Sequence, residues 1–163
     1  MAHTYYLVIA NQTLGGPHLV ATIAGRAREG ARIHVTVPAT PVDDYDAVDL
    51  AQHRLDEQLR RLEAAGVTAT GNVGPADPMD AIREQLAGPH HFTGLIISTL
   101  PRHISKWLRL DLPNRAARDF GLTVEWVEAR DDDDEPEVVH ITIPSAARNI
   151  APNVQEQNPP MRP

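Results

Sequence analysis

The sequence predicts an open α/β domain: a parallel sheet with helices on both faces, followed by an extended C-terminal tail. Three observations lead there. Short apolar runs rich in Val, Ile and Leu alternate with longer stretches in which apolar residues recur every three or four positions. Gly, Pro, Asp and Asn fall at the joints between them. Hydrophobic residues are 42% of the 163 but aromatics only 4%, so aliphatic side chains must fill one sizeable core.

Taken in order, Tyr5–Ala10 is the first strand. Gly15-Gly16-Pro17 opens a helix in which Leu19, Ile23 and Ala27 share a face, and Gly30 stands at its C′ position. Arg32–Val37 is the second strand, ended by Pro38. The second helix runs from about Ala47 to Ala65, with Leu55, Leu59 and Leu62 inward. Asp56–Arg60 and Glu57–Arg61 are i,i+4 pairs on its wet side. Asp43, Asp44 and Asp46 lie near its start, where the helix dipole favours acids, and Gly66 ends it.

Val67–Val73 is a third strand, weakened by Gly71 and Asn72. Asp77-Pro78-Met79-Asp80 supplies an N-cap, a first-turn proline and an acid to the third helix. Met79, Ile82 and Leu86 face inward there, and Gly88-Pro89 stops it. Gly94–Thr99 is the fourth strand, and a loop rich in Arg and Lys follows it. A helix from about Leu112 to Phe120 comes next, capped by Asp111 and begun with the help of Pro113. Thr123–Val127 closes the unit. Glu125 and Glu128 give this last strand the partly exposed character of an edge or interface, and Trp126 reads as a dimer or core residue. Residues 1–130 thus form one domain, with right-handed crossovers expected throughout.

Residues 131–163 differ in character. Seven acids (Asp131 to Asp134, Glu135, Glu137, Glu156) meet two bases (Arg148, Arg162), so the segment carries −5 of the net −7. An acidic linker and a Pro-rich tail are expected; residues 138–143 read either as an extra strand adding to a sheet edge of this subunit or of a partner, or as a merely extended piece of the tail. A nearly neutral domain with an acidic tail is the reverse of a nucleic-acid binder, so no nucleic-acid partner is expected. No apolar run approaches a membrane span, and the first residues lack a basic signal-peptide region. With no cysteine there is no disulfide framework and no thiolate site, which fits the cytoplasm.

The order and spacing of the elements, and the turn Val73-Gly74-Pro75-Ala76-Asp77, resemble the universal stress protein family over about residues 4–129. The resemblance implies strand order 3-2-1-4-5 and a homodimer, with the fifth strand as the contact. In members that bind ATP, the loop after the fourth strand carries a glycine, two residues, a second glycine, nine residues, a third glycine and a hydroxyl residue. Those positions fall here on Ser98, Pro101, Asp111 and Leu112, and none matches. The acid that holds adenosine at the end of the first strand is replaced by Asn11.

Physics weighs each replacement. Phosphate cradles use backbone N–H groups on glycines, which approach closely and accept positive φ. Pro101 has no N–H and a fixed φ. Asp111 would set a carboxylate beside the phosphates, and at about 4 Å and an effective dielectric near 20 each pair of charges repels by roughly 4 kcal/mol. Leu112 has no hydroxyl. ATP or AMP is therefore disfavoured and no cofactor is expected. The expected role is regulatory or protein-interacting, with the tail as an accessory segment for a protein partner.

The alternative is a sensor for a nucleotide or another anion. Arg102, Lys106 and Arg109 are spaced to share a helical face, and the window 102–118 has five bases and one acid. The same spacing also describes a solvated turn packed through Ile104, Trp107 and Leu108. A pocket rebuilt from side chains would use Asn11, Ser98, Thr99, Arg102, Lys106 and Arg109. No catalytic residue is assigned: Ser98 and Thr99 lack a Gly-x-Ser-x-Gly elbow and an identifiable base. His90-His91 lacks a third ligand at metal-binding spacing, and Gly15-Gly16-Pro17 lacks the Walker lysine.

Overall fold

The structure is a computed structural model that describes residues 3–14, 16–40, 46–101, 105–129 and 138–141, the last four as backbone. The elements are β1 (Tyr5–Ile9), α1 (Pro17–Arg28), β2 (Arg32–Pro38), α2 (Ala47–Ala64), β3 (Ala69–Gly74), α3 (Pro78–Ala87), β4 (Gly94–Thr99), α4 (Lys106–Arg109), α5 (Leu112–Phe120), β5 (Thr123–Glu128) and β6 (Val138–Ile141). They make one sheet of order β3-β2-β1-β4-β5-β6, in which β1 to β5 are parallel. The expectations for Gly15, Asp43, Asp44, Arg102, Ile104, the linker 130–137 and residues 142–163 lie outside the described residues.

Period-two alternation divides the core. Tyr5, Leu7 and Ile9 of β1 meet Leu95 and Ile97 of β4 on one face, under Met79 and Ile82 of α3 and Leu112, Ala116 and Ala117 of α5. Val8, Ile33, Val35, Val37 and Ile96 point to the other face, under Leu19 and Ile23 of α1 and Ala51, Leu55 and Leu62 of α2. β1 and β4 are thus covered on both sides, which is why they read as unbroken apolar runs.

Helix ends follow local chemistry. Asp46 accepts from Val48 N at 3.0 Å, and Asp77 accepts from Met79 N at 2.8 Å. Gly30 and Gly66 have φ of 91° and 81°, the left-handed geometry of a C′ residue. Arg61 pairs with Glu57 at 3.4 Å, while Asp56 accepts from Gln52 Nε2 at 2.9 Å.

Several expectations need correction. Asp111 occupies the N-cap position of α5, but its side chain makes no cap bond. Its backbone lies at φ 54° and ψ 39°, and its Oδ1 accepts from Asn114 Nδ2 at 2.7 Å. Glu125 is not an exposed edge residue: it is 2% exposed and paired with Arg26, which the last turn of α1 brings over it. Gly71 is a packing requirement of β3 rather than a flaw, since a Cβ there would sit 2.6 Å from Leu55 Cδ1 and 2.8 Å from Val35 O. Finally, β6 pairs antiparallel with β5 of its own chain, so the β5 edge expected to meet a second copy is already hydrogen-bonded.

Candidate functional site

β1 lies between β2 and β4, where the sheet reverses its direction of growth, and the carboxyl ends of β1 and β4 border the crevice that such a reversal creates. The sequence candidates Asn11, Ser98 and Thr99 are brought to these strand ends and are 6%, 2% and 2% exposed. Lys106 and Arg109 lie exposed on α4, and Arg102 is outside the described residues.

Each buried candidate already has a partner. Asn11 Nδ2 donates to Pro38 O at 2.8 Å, and its Oδ1 accepts from an Arg54 Nη1 N–H reaching in from α2. Ser98 Oγ donates to Thr13 Oγ1 at 2.7 Å, closing the β1–α1 turn onto the end of β4. Thr99 Oγ1 accepts from Trp126 Nε1 at 2.9 Å, which ties β4 to β5. A buried polar group is costly to leave unpaired, so these bonds fix the three side chains in place. A ligand that needed the amide or either hydroxyl would have to break them.

Beside the crevice, Ser105 caps α4 by accepting from Leu108 N at 3.2 Å. Trp107 and Leu108 are half-buried, and Trp107 packs on the core beneath α5. A hollow of about 350 Å³ is lined by Leu108, Arg109, Asp111, Pro113, Asn114 and Trp126. Leu112 is 2% exposed and belongs to the core, so the position where a phosphate-binding hydroxyl would stand faces apolar neighbours.

At the other end of the sheet, His34 lies 8% exposed beside the rings of His90 and Phe92. Asn72 Nδ2 donates to Val73 O, so Asn72 Oδ1 is an acceptor and His34 Nε2 must carry the proton it offers at 2.8 Å. His34 Nδ1 then accepts from Thr70 Oγ1 at 2.7 Å. Burial pushes the imidazole below its ordinary pKa, the Asn72 hydrogen bond opposes this, and nearby His90 adds to the depression. The exposed His90 and His91 form no metal cluster with other acids or histidines among the described residues.

Thr13 and Arg54 were not legible as site residues. Thr13 carries no signal beyond lying two positions after Asn11. Arg54 had one: Ala51, Leu55, Gln58 and Leu62 form the buried stripe of α2, and Arg54 stands at its border. Among the described residues, no helix is long and apolar enough to cross a membrane. No family model matches the chain, and no curated protein matches it.

Proposed function

We propose that this chain is a regulatory or protein-interacting α/β domain, similar to universal stress proteins, that does not seat ATP in that family's way. One observation carries the reading: the amide and hydroxyls at the crevice are spent on Arg54, Pro38, Thr13 and Trp126. Pro101 in place of a glycine and a core-facing Leu112 add to it. The tail beyond 130 is the accessory segment for a protein partner. A homodimer through β5 requires contacts other than the edge that β6 holds.

The test is mass spectrometry of small molecules released by denaturing freshly purified protein, with ATP calorimetry on the same sample. No stoichiometric adenine nucleotide and no ATP heat are expected; recovery of either defeats the reading.

A second reading, a sensor for a nucleotide or other anion at the basic loop, is favoured by one observation. Lys106 and Arg109 are exposed with no carboxylate within salt-bridge distance among the described residues, and Arg109 lines the hollow by α5. Phosphate or AMP binding that Lys106→Ala with Arg109→Ala abolishes would support it. Binding unchanged by that pair of substitutions would eliminate it.

A further inference from the structure

We propose that Arg54, held on Asn11 at the carboxyl end of β1, is the seat of a small oxyanion, a carboxylate or a phosphate group. This rests on the reading that ATP is not seated in the crevice, and names what the same crevice takes instead.

Three observations converge on it. The first is orientation. Asn11 is buried and its amide cannot flip without loss, because Nδ2 is committed to Pro38 O. Its oxygen therefore faces Arg54 and holds the guanidinium at the strand end rather than in bulk water. The second is charge. Arg54 is half-buried, and among the described residues a neutral amide oxygen is its sole partner. Arg26, also half-buried, is matched by Glu125 and Glu29, and Arg61, Arg83 and Arg118 each pair with an acid. The chain has 22 acids to 15 bases, yet among the described residues no carboxylate is set against the half-buried Arg54. A half-buried charge without a counter-ion is unfavourable until an anion supplies one.

The third is donor geometry. A guanidinium carries five N–H donors in a planar fork, and Asn11 uses one of them. The rest can meet two oxygens of one carboxylate or phosphate, the bidentate arrangement in which arginine excels. Adenosine gives this seat nothing comparable, since it brings no negative charge to the base or the sugar.

The experiment is a titration of the full chain with inorganic phosphate and, separately, with succinate, at fixed ionic strength. Thermal shift gives the affinity, and side-chain Nε–H resonances of arginine give the site. Saturable stabilisation with a shift of the Arg54 resonance is expected from at least one of the two anions. Arg54→Gln should weaken binding by tenfold or more. Arg54→Lys, which keeps the charge but not the fork, should weaken it less and serves if Arg54→Gln does not fold. Lys106→Ala with Arg109→Ala should leave binding unchanged. The proposal is overturned by no saturable effect from either anion, by equal binding in Arg54→Gln, or by loss confined to the α4 double variant. ATP binding to the wild type that survives Arg54→Gln would defeat the functional reading as well; absence of both ATP and oxyanion binding defeats this seat alone.

Discussion

Removing either hydroxyl of the Ser98–Thr13 pair should cost more than removing both of them is expected to cost per group. The two oxygens are 2.7 Å apart across 85 residues of sequence, and the residues are 2% and 6% exposed. A neutral hydrogen bond contributes about 1 kcal/mol net, but a buried hydroxyl left without a partner costs roughly 1–3 kcal/mol. Thr13→Val is close to isosteric and strands the more deeply buried Ser98, so about 2 kcal/mol is expected; Ser98→Ala strands Thr13 and should cost about 1.5 kcal/mol. The double variant leaves no orphan and should lose only about 1–1.5 kcal/mol, well short of the sum. The coupling is then roughly 2 kcal/mol, which urea denaturation of the four proteins resolves easily. In thermal melts each kcal/mol should appear as a shift of about 3–5 °C. Single variants that add within about 0.4 kcal/mol would show that the hydroxyls do not depend on each other. The claim that the crevice is internally satisfied would fail with them.

Other predictions address packing and pH. Gly71→Ala should destabilise by about 1–3 kcal/mol, since the Val35 carbonyl 2.8 Å from the new Cβ is fixed in the β2–β3 ladder. Its control, Gly25→Ala in α1, meets nothing within 4 Å and should stabilise by roughly 0.5–1 kcal/mol; equal effects of the two in denaturant would refute the packing account. His34 has a folded pKa below its unfolded 6.5, so in that interval the unfolded chain binds more protons and stability rises with pH. Its contribution is present above pH 6.5 and is lost as pH falls through the folded value. Melts from pH 7 to 5 should therefore slope less in His34→Gln, and parallel slopes would exclude it as the cause. Gln58 is 1% exposed with no partner for Oε1 or Nε2 among the described residues, so Gln58→Met should raise stability by about 1 kcal/mol. A loss in that variant would mean the amide is hydrogen-bonded in solution.

What was legible in the sequence was local. Gly94–Thr99 and Leu112–Phe120 have the bounds that an apolar run and a first-turn proline imply, and Asp77 caps α3 as its neighbours require. Strand order does not follow from such signals and entered with the family resemblance. The site was legible only as positions. Asn11, Ser98 and Thr99 do stand at the strand ends, but their partners are 27, 43, 85 and 27 residues away. No periodicity encodes those distances. Glu125 misled for the same reason: a charged residue on an outer strand reads as exposed until Arg26, 99 positions earlier, is known to lie over it.

Asp111 bears on what sets the path of the loop between β4 and α5. It is the sole non-glycine residue at positive φ among the described residues. That backbone shape is held by its local bonds. Asp111 N donates to Leu108 O at 3.0 Å, its carbonyl accepts from Arg115 N at 3.0 Å, and the next residue, Leu112, begins α5 and is buried in the core. Left-handed geometry costs an L-residue roughly 1 kcal/mol, less for Asp, whose short side chain bonds locally as it does here to Asn114. The turn from α4 into α5 and the burial of Leu112 offset that cost. Packing and local hydrogen bonds therefore set the path of the loop at Asp111.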